Sequence, residues 1–371
     1  MKTIMNKNLK IALIGVYPPP YGGISVHIQR LNEQLKKKGF ECIIYDLFGK
    51  RGIIQKNVKF VKNSKVWMLK YFLGAKEDIV HYHGGELKSL YFLMILVLFS
   101  LFSVVRKKNV IFTIHSFKHN IHNINLLYRF IFWMVKKADI CFIAIGPQIK
   151  KKIMSLGIEP KNIEVIPSFI PPAIREQDIA EIPNEIWDFM DNHSPVISAN
   201  AAIISFYNNT DLYGIDMCID LCANLRQSHP DIGFVFCLPD VNNSVYFEKM
   251  KQRIIEKDLE NIFLFVTKQH QLYPIIRRSN VFVRPTNTDG YGVSIAEAIY
   301  LKVPAVASDV CPRPAGTILF KSRDIEGFTS KVKEVLNNYG QEVAKLENIK
   351  NINGADKIIE MYRRIGMGRQ Q

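Results

Sequence analysis

The sequence predicts an α/β protein with two domains, each built on a parallel β-sheet. Short apolar, strand-like runs alternate with helical patterns through most of the chain, which is typical of parallel sheets with crossover helices. The alternation breaks at residues 171–194, where an acidic, proline-containing stretch indicates an interdomain linker. With 371 residues, of which 48% are hydrophobic, the chain can bury the cores of two ordinary domains.

The first predicted domain, residues 1–170, begins with the strand KIALIGV. The N-terminus is basic and then apolar, but the apolar run is only as long as a strand and contains no cleavage-like site, so it is not interpreted as a signal peptide. A helix should follow at residues 24–38. The further strands should be CIIYDL, DIVHYHG, VIFTIHS, DICFIAIG and IEVIPSFI.

The second predicted domain, residues 195–350, repeats this pattern. Its strands should be PVISANAAI, IGFVFCL, IFLFV, VFVRP and AVASDV, and its helices should lie at residues 215–227, 245–257, 271–278 and 291–301. The remaining segment, residues 351–371, contains an amphipathic stretch. It is predicted to be a helix that packs back on the first domain.

Cysteine and histidine spacing argue against a disulfide framework or a metal centre. The six cysteines are scattered without a CxxC pair and lie mostly in apolar runs, which suits buried thiols in a reducing cytoplasm. His81 and His83 alternate on one predicted strand, and His115, His119 and His122 follow another. No HExxH motif or Cys/His pair spacing accompanies them, so no metal is expected.

Positive charge is concentrated in the first half of the chain. Residues 1–170 hold 27 Lys and Arg against 9 Asp and Glu, whereas the remaining residues hold 22 against 25. A basic face is typical of nucleic-acid binding, but two apolar segments in the same half, residues 90–105 and 126–137, favour an anionic membrane surface. Residues 90–105 are fewer than the roughly 20 needed to span a bilayer, so they should form a core helix or an interfacial one.

The segment TDGYGVSIAEA carries the most informative residues of the second half. Asp289 and Glu297 lie eight residues apart, with Gly290 and Gly292 between them where a loop enters a predicted helix. A lone helical glutamate usually forms a local salt bridge or cap, but Glu297 has apolar neighbours on nearly every side, and a buried carboxylate needs partners. Two carboxylates and peptide N–H groups at a strand end can hold the two ends of a nucleotide sugar.

A second glycine pair, Gly22 and Gly23, opens the first predicted helix after GVYPPP. A nicotinamide dehydrogenase would instead show GxGxxG with an acidic residue about 20 residues later. The proline-containing loop is longer, and its glycines would expose N–H groups that suit an anion at a helix N-terminus. A simple turn is the other interpretation of this pair.

Taken together, YPPPYGGISVHIQRL, DIVHYHG, TIHSF, IEVIPSFI and TDGYGVSIAEA resemble, in order and spacing, the family-4 glycosyltransferases of the GT-B fold. The resemblance covers nearly the whole chain, and RPTNTDGYGVSIAEA and ASDVCPRPAGTILF are similar to bacterial enzymes that build capsular or O-antigen polysaccharide. It implies two Rossmann-like domains facing each other across a cleft. The second would bind the nucleotide-sugar donor and the first the acceptor.

The resemblance also implies roles for the residues of the TDGYGVSIAEA segment. Asp289 matches the acidic residue that contacts the hydroxyls of the transferred sugar, where the family usually has Glu. Glu297 matches the residue that holds the ribose. The N–H groups of Gly290, Tyr291 and Gly292 would bind the diphosphate at the helix start, where the helix dipole favours anions.

One departure from the family lies after the first strand of the second domain. The family usually carries an Arg and a Lys there, whereas this chain has Asn208 and Tyr213. The charge of the leaving diphosphate must still be balanced. Arg284 and Arg313 are expected to balance it, since a guanidinium can hold phosphate oxygens bidentately, and Lys268 is a further candidate.

Two features of the first domain complete the implied site. Gly22 and Gly23 would close on the same diphosphate. His115, at the end of strand VIFTI, matches the family's histidine beside the donor sugar, where it would contact the sugar or stabilise the transition state. A hydrogen-bonded histidine at a strand end is the alternative.

The activity implied by the resemblance is that of a metal-independent, retaining glycosyltransferase without a cofactor, using a UDP- or GDP-linked sugar. The basic, apolar first domain suggests a lipid-linked acceptor such as a polyprenyl-diphosphate oligosaccharide, reached at the cytoplasmic face of the membrane by a peripheral protein. Nucleic acid is not expected as a partner. A nucleotide-sugar epimerase of the same fold and a basic nucleic-acid-binding protein are the alternatives.

Overall fold

A computed structural model describes residues 9–47, 56–62, 67, 71, 76–85, 109–116, 130, 133–135, 140–350 and 353–367. The chain divides into two compact units, residues 1–170 with 352–371 and residues 171–351. Each unit contains one large parallel sheet with helices between its strands. The predicted fold class, two parallel-sheet α/β domains, is thereby confirmed.

The first unit contains a sheet of seven strands. They are β1 (Lys10–Gly15), β2 (Glu41–Asp46), β3 (Val58–Phe60), β4 (Ile79–Gly84), β5 (Asn109–Ile114), β6 (Ile140–Ala144) and β7 (Ile163–Val165). Their order is β3-β2-β1-β4-β5-β6-β7, and all neighbours are parallel. Helix α1 (Gly23–Lys37) follows β1, and α2 (Pro147–Ser155) follows β6.

The core of the first unit forms where α1 packs on the central strands. Ile28, Leu31 and Leu35 recur at helical spacing, are fully buried, and join one apolar cluster with Ile11 and Leu13 of β1. The central strands are buried along nearly their whole length, as in a parallel sheet that is covered on both faces. This sheet places the carboxyl ends of β1, β4 and β5 at one edge.

The second unit contains a sheet of six strands and a separate hairpin. The strands are β8 (Val196–Asn200), β9 (Phe206–Tyr207), β10 (Thr210–Asp211), β11 (Gly233–Cys237), β12 (Phe263–Val266), β13 (Val281–Arg284), β14 (Ala305–Ser308) and β15 (Ile318–Phe320). The sheet order is β12-β11-β8-β13-β14-β15, all parallel, while β9 and β10 pair antiparallel.

The described helices of the second unit connect these strands and flank the sheet. They are α3 (Glu176–Ala180), α4 (Asn184–Asp191), α5 (Ile215–Arg226), α6 (Ser244–Glu256), α7 (Tyr273–Arg278), α8 (Val293–Tyr300), α9 (Ile325–Asn337) and α10 (Tyr339–Glu347). The predicted helices lie within two residues of these bounds. The hairpin, β15, α9 and α10 are additions that the sequence reasoning did not include.

Residues 171–194, predicted as a linker, belong instead to the folded second unit. They contain α3 and α4, and Ile182, Ile186 and Met190 are buried against Val196 and Val235 of the sheet. Ile186 and Met190, four residues apart, lie on one face of α4, and Ile182 precedes that helix. The segment is therefore part of the core of the second unit.

Helix α11 (Gly354–Met367) returns the chain to the first unit. Its Ile358, Ile359 and Tyr362 are buried in the same apolar cluster as β1 and α1. The helix begins close to the main chain of the loop after β7, because a Cβ at Gly354 would lie 2.3 Å from the Pro167 carbonyl oxygen. Only glycine fits at this helix start.

The apolar segment 90–105 lies outside the described residues. Within 126–137, Phe130 and residues 133–135 are described, and Phe130 and Trp133 are 53% and 50% exposed. Their rings stack with centroids 5.9 Å apart. None of the helices formed by the described residues is long and apolar enough to cross a membrane.

Candidate functional site

The loop of residues 285–292 connects β13 to α8 at the carboxyl edge of the second sheet. Its last residue, Gly292, has a φ of +86°, which favours glycine. A Cβ at Gly292 would lie 2.9 Å from Arg313 Nη1 and 2.9 Å from Ile295 Cδ1. The N–H of Asn287 donates to the Leu212 carbonyl at 3.0 Å, which joins the loop to the segment after β10. The loop is therefore fixed from both sides.

Asp289 lies at the centre of a charge cluster that consists of Arg284, Asp289 and Arg313. Its Oδ2 accepts hydrogen bonds from Arg284 Nε at 2.7 Å and from Arg313 Nη1 at 2.7 Å. Burial alone would raise the pKa of Asp289, but the two guanidinium groups outweigh it and hold the pKa well below its usual range. At neutral pH the charge cluster therefore carries a net positive charge.

Arg313 is the most deeply buried member of the charge cluster, with its side chain 1% exposed. Its Nε donates to the Ser308 carbonyl at 3.0 Å, and its Nη2 donates to Thr286 Oγ1 at 2.9 Å. These bonds fix Asp289 and the 285–292 loop. The sequence predicts Arg313 as a direct phosphate ligand. In the structure its N–H groups donate to protein atoms instead.

Arg284 keeps part of its guanidinium unoccupied. Its Nη1 lies 3.2 Å from Asn200 Oδ1 and 3.3 Å from Ser294 Oγ, while Nε is paired with Asp289. Within the described parts of the chain, no group accepts a hydrogen bond from Nη2. The guanidinium lies 5.5 Å from the ring centroid of Tyr213, the residue at which the family resemblance places a lysine. Arg284 thus brings positive charge to that place from a different strand.

Glu297 is 3% exposed on α8, about one turn from the start of that helix. Its neighbours Ile295, Ala296, Ala298 and Ile299 are buried, as the apolar pattern of the segment predicts. A carboxylate at such a position costs free energy unless polar partners compensate it. Along the chain, Glu297 follows Asp289 of the charge cluster by eight residues.

The other residues of the second unit that the sequence predicts to bind the donor lie on the 285–292 loop or away from the charge cluster. The N–H of Gly290 donates to Asp289 Oδ1 at 2.8 Å, so in this conformation it is not directed at a ligand. Tyr291 and Gly292 precede the first turn of α8. Lys268 is exposed after β12, the edge strand, and two strands separate β12 from β13. The structure therefore does not bring Lys268 to the charge cluster.

In the first unit, Gly22 and Gly23 lie at the start of α1, as predicted. Gly22 is the N-cap, and its N–H donates to Ser25 Oγ at 2.9 Å. The Ser25 hydroxyl in turn donates to the Pro20 carbonyl at 2.6 Å. A Cβ at Gly23 would meet no atom of the described residues within 4 Å, so local packing does not require glycine there.

His115 follows β5 and belongs to a buried histidine cluster that consists of His27, His83 and His115. Its Nε2 lies 3.3 Å from His83 Nδ1, and His27 Nδ1 lies 2.7 Å from the Ser168 carbonyl oxygen. Burial is the main cause that lowers the pKa of all three imidazoles, to about 4 for His27. The histidine cluster is therefore neutral at neutral pH.

The histidine cluster is also the group of described residues that could hold a metal ion. One nitrogen from each ring lies within 4.8 Å of the others. A tetrahedral zinc site would place its ligand nitrogens about 3.3 Å apart, given Zn–N bonds of about 2.0 Å. The rings would have to move together to bind a metal.

Comparison with known families decides the relationship of the chain. A sequence model of "Glycosyltransferase Family 4" matches residues 21–173, and a model of "Glycosyl transferases group 1" matches residues 194–353. The chain belongs to the family-4 glycosyltransferases with the GT-B fold. The suspected family is thereby confirmed.

Solved structures of other glycosyltransferases share this GT-B fold across nearly the whole chain. HepE of Anabaena, solved with UDP and glucose, is 13% identical with a TM-score of 0.70 and covers 96% of this chain and 100% of its own. A glycosyltransferase of Rickettsia africae is 14% identical with a TM-score of 0.72, covering 97% and 99%. WaaG, involved in lipopolysaccharide biosynthesis, is 12% identical with a TM-score of 0.65, covering 95% and 99%.

A curated relative is similar over a shorter stretch. The lipopolysaccharide core mannosyltransferase LpsB of Rhizobium meliloti is 30% identical over 98 residues, which are 26% of this chain and 28% of LpsB. The match therefore spans little more than a quarter of either protein. It supports a family relationship.

Sequence reasoning did not single out several residues of this family-4 glycosyltransferase that shape the two sites. His27 lies among the core residues of α1, and Thr286, Ser294 and Asn200 are ordinary polar residues in the sequence. A usable signal existed for His27, because a histidine on the buried face of an amphipathic helix needs a polar partner. Contacts of the other three depend on strand neighbours that are distant along the chain.

Proposed function

We propose that the chain transfers a sugar from a nucleotide-sugar donor to a growing cell-surface glycan, such as a lipopolysaccharide or capsular polysaccharide. Membership of family 4 supports glycosyl transfer. The observation that carries the donor assignment is the charge cluster, in which Asp289 neutralises only one of two arginines. The excess charge lies at the loop that leads into α8, where an anionic diphosphate is favoured.

Arg284 is the residue we assign to the leaving diphosphate. Its Nη2 is the part of the guanidinium that the described residues leave without an acceptor, and its side chain is 12% exposed. A fixed guanidinium stabilises charge that develops on a phosphate oxygen as the bond to the sugar breaks. Arg313 would act indirectly, by holding Asp289 and thereby Arg284. This arrangement would replace the Arg and Lys that the family usually carries.

The reaction we propose retains the configuration of the sugar. The bond between C1 of the sugar and the phosphate oxygen breaks, and the acceptor hydroxyl oxygen bonds to C1 on the same face. The proton of that hydroxyl passes to the leaving phosphate oxygen, so no enzymic nucleophile is needed. Positive charge from Arg284 and N–H groups at the start of α8 would serve the role that a metal has in other transferases, and no cofactor is required.

Glu297 is proposed to hold the ribose of the donor, and its replacement tests the assignment. Thermal shifts with UDP, GDP and other nucleotides and their sugars should show stabilisation by one nucleotide, because a ligand stabilises the state that binds it. UDP-glucose is a suitable first probe, since HepE was solved with UDP and glucose. Glu297→Ala should abolish the shift and lower kcat/KM about 100-fold or more, through two lost hydrogen bonds to a charged acceptor.

Glu256→Ala is the matched control, because Glu256 is an exposed helical glutamate of the same unit. It should bind and react as the unsubstituted protein does. Near-normal turnover of Glu297→Ala would remove the donor assignment. Consumption of the donor without an acceptor, yielding an isomeric nucleotide sugar, would indicate an epimerase instead.

The proposed acceptor is a lipid-linked saccharide, such as a polyprenyl-diphosphate oligosaccharide, at the cytoplasmic face of the membrane. Its support is the excess of Lys and Arg in residues 1–170 together with the exposed aromatic pair Phe130 and Trp133. Basic residues are attracted to anionic headgroups, and aromatic rings favour the membrane interface. These features would hold the protein at the surface where such acceptors lie.

Replacing Phe130 and Trp133 together by serine should reduce binding to anionic vesicles at least about 10-fold, because two aromatic side chains no longer enter the interface. Sedimentation with phosphatidylglycerol vesicles measures this effect, and added salt should weaken binding of the unsubstituted protein. Val245→Ser is the control, since Val245 is 82% exposed in the second unit. Equal binding to neutral and anionic vesicles would contradict the electrostatic contribution.

A further inference from the structure

The histidine cluster contains two buried nitrogens that have no hydrogen-bond partner among the described residues, His27 Nε2 and His83 Nε2. The rings come from three elements: His27 from α1, His83 from β4 and His115 from the end of β5. Their centroids are 5.2 Å apart for His27 and His83 and 4.9 Å apart for His27 and His115. An unpaired polar atom in such a place costs free energy, so the protons should be distributed to avoid it.

The proton of His27 is fixed by its contact with the main chain. A carbonyl oxygen only accepts hydrogen bonds, so Nδ1, which lies 2.7 Å from the Ser168 carbonyl, must carry the proton. A neutral imidazole has one protonated and one bare nitrogen. The buried Nε2 of His27 is therefore a bare acceptor that needs a donor.

Two proton arrangements are then open for His83 and His115, whose Nδ1 and Nε2 are 3.3 Å apart. If His83 Nδ1 donates, its own Nε2 is bare, and two bare nitrogens are buried without a donor. If His115 Nε2 donates, His83 carries its proton on Nε2. That proton can then be donated to the bare Nε2 of His27. One nitrogen of each ring lies within 4.8 Å of the others, and the centroids of His27 and His83 are 5.2 Å apart, so the contact between the two Nε2 atoms requires these rings to reorient.

We propose that His27 and His83 are positioning residues that fix His115 as the neutral tautomer with its proton on Nε2, so that its Nδ1 accepts a hydrogen bond from a substrate hydroxyl. The relay runs from His115 to His83, from His83 to His27, and from His27 to the Ser168 carbonyl. This inference rests on the proposed function in one respect: a glycosyltransferase of this family would place a substrate beside His115, as the family resemblance implies. The tautomer itself is independent of that claim.

The other groups around the relay do not compete for its protons. The ring of His81 lies against that of His83, with centroids 4.0 Å apart and an interplanar angle of 33°, but its two nitrogens are engaged by the Tyr362 hydroxyl and by Thr113 Oγ1. Arg30, one turn further along α1, donates to the Ile170 carbonyl at 3.1 Å and disfavours a second positive charge on His27. The relay thus consists of neutral rings with a single favoured direction.

Nitrogen-15 NMR of the full chain, without substrate, reads the tautomer directly, because protonated and bare imidazole nitrogens differ in chemical shift. The His115 signals are identified by their loss in His115→Asn. We expect Nε2 of His115 to be protonated and Nδ1 to be bare. The opposite tautomer, an even mixture or a protonated ring at neutral pH would overturn the proposal. So would a stoichiometric divalent transition metal in the purified protein, which elemental analysis detects.

Two substitutions of His27 separate positioning from packing. In His27→Gln the amide oxygen can accept a hydrogen bond from His83, and the amide N–H can donate one to the Ser168 carbonyl. His27→Leu removes both of these hydrogen bonds. We expect His27→Leu to lower kcat about 10-fold with little change in the KM for the donor, as the His115 tautomer is no longer fixed. His27→Gln should retain kcat within about 3-fold. Equal losses in both variants, or no loss in either, would contradict the relay.

The tests keep the relay and the proposed function apart. An unsubstituted protein that transfers no sugar from any donor, yet shows the expected His115 tautomer, would refute the function and leave the relay intact. Normal transfer with the opposite tautomer would support the function and refute the relay. The NMR measurement also decides the case in which His27→Leu does not fold.

Discussion

Replacing Asp289 by asparagine should lower the free energy of unfolding of the second unit by about 3–5 kcal/mol. Asp289 is the shared anion of Arg284 and Arg313, and all three side chains are at most 13% exposed. Asparagine has nearly the same size but no charge, so two buried guanidinium groups would face each other without a counter-ion. The loss should exceed that of an ordinary surface ion pair several-fold.

Urea unfolding followed by circular dichroism measures this difference. Asp258→Asn is the matched control, because Asp258 pairs with Arg226 on the surface, where the side chains are 82% and 42% exposed. That control should cost less than about 1 kcal/mol. Arg313→Met combined with Asp289→Asn should recover part of the loss, since the double variant buries one cation fewer.

The same substitution should also affect the proposed donor site. Arg284 Nε donates to Asp289 Oδ2 at 2.7 Å, so the uncharged amide oxygen of an asparagine would hold the guanidinium more weakly. Donor affinity should fall in Asp289→Asn even at temperatures where the variant is folded. A variant that is as stable as the unsubstituted protein, with unchanged donor binding, would show that the charge cluster has neither role.

The sequence was sufficient to predict the two parallel sheets and the position of Asp289 and Glu297. Alternating apolar runs mark parallel strands well, because both faces of such strands are buried. The hairpin of β9 and β10 escaped this reasoning, although Asn208 and Asn209 adopt φ values of +49° and +58°, which asparagine tolerates. Its strands contain two residues each, too few to give a periodic signal.

The sequence indicates which residues form the charge cluster, but it does not indicate the contacts between them. Arg284 and Arg313 are candidates from the sequence because arginine suits phosphate. Their shared use of Asp289 depends on the pairing of β13 with β14, which places Arg284 opposite Ala307, a few residues before Arg313. Neighbouring strands in a parallel sheet are joined through a crossover, so sequence distance does not reveal this pairing.

We expect the first unit to lose stability as the pH falls from about 6.5 toward 4, before most carboxylates are protonated. Burial lowers the pKa of His27 from 6.5 to about 4, and it lowers the pKa values of His81, His83 and His115 well below the ordinary value. These rings stay neutral in the folded state but bind protons when the chain unfolds. In this range the unfolded state therefore binds more protons, and acid favours it.

The size of the effect follows from the pKa difference. For His27 alone, the loss at pH 5 is on the order of 2 kcal/mol relative to neutral pH, and the other three rings add to it. Scanning calorimetry between pH 7.5 and 5, in two buffers with different ionisation enthalpies, gives both the stability and the number of protons taken up. The full stabilisation should be present above about pH 7 and decrease steadily below it.

His27→Gln should reduce the pH dependence of the stability of the first unit, because one of its titrating groups is removed. His229→Gln, in the second unit, should leave that pH dependence unchanged. The glutamine variant separates the two roles of His27, since it removes a titratable ring while keeping an acceptor for the relay. A first unit whose stability is constant between pH 7.5 and 5 would mean that the four histidines take up protons equally in the folded and unfolded chain, so burial would not keep them neutral. The relay at His115 would then be lost as the pH falls through the ordinary histidine range, because protonated rings have no bare nitrogen to accept a hydrogen bond.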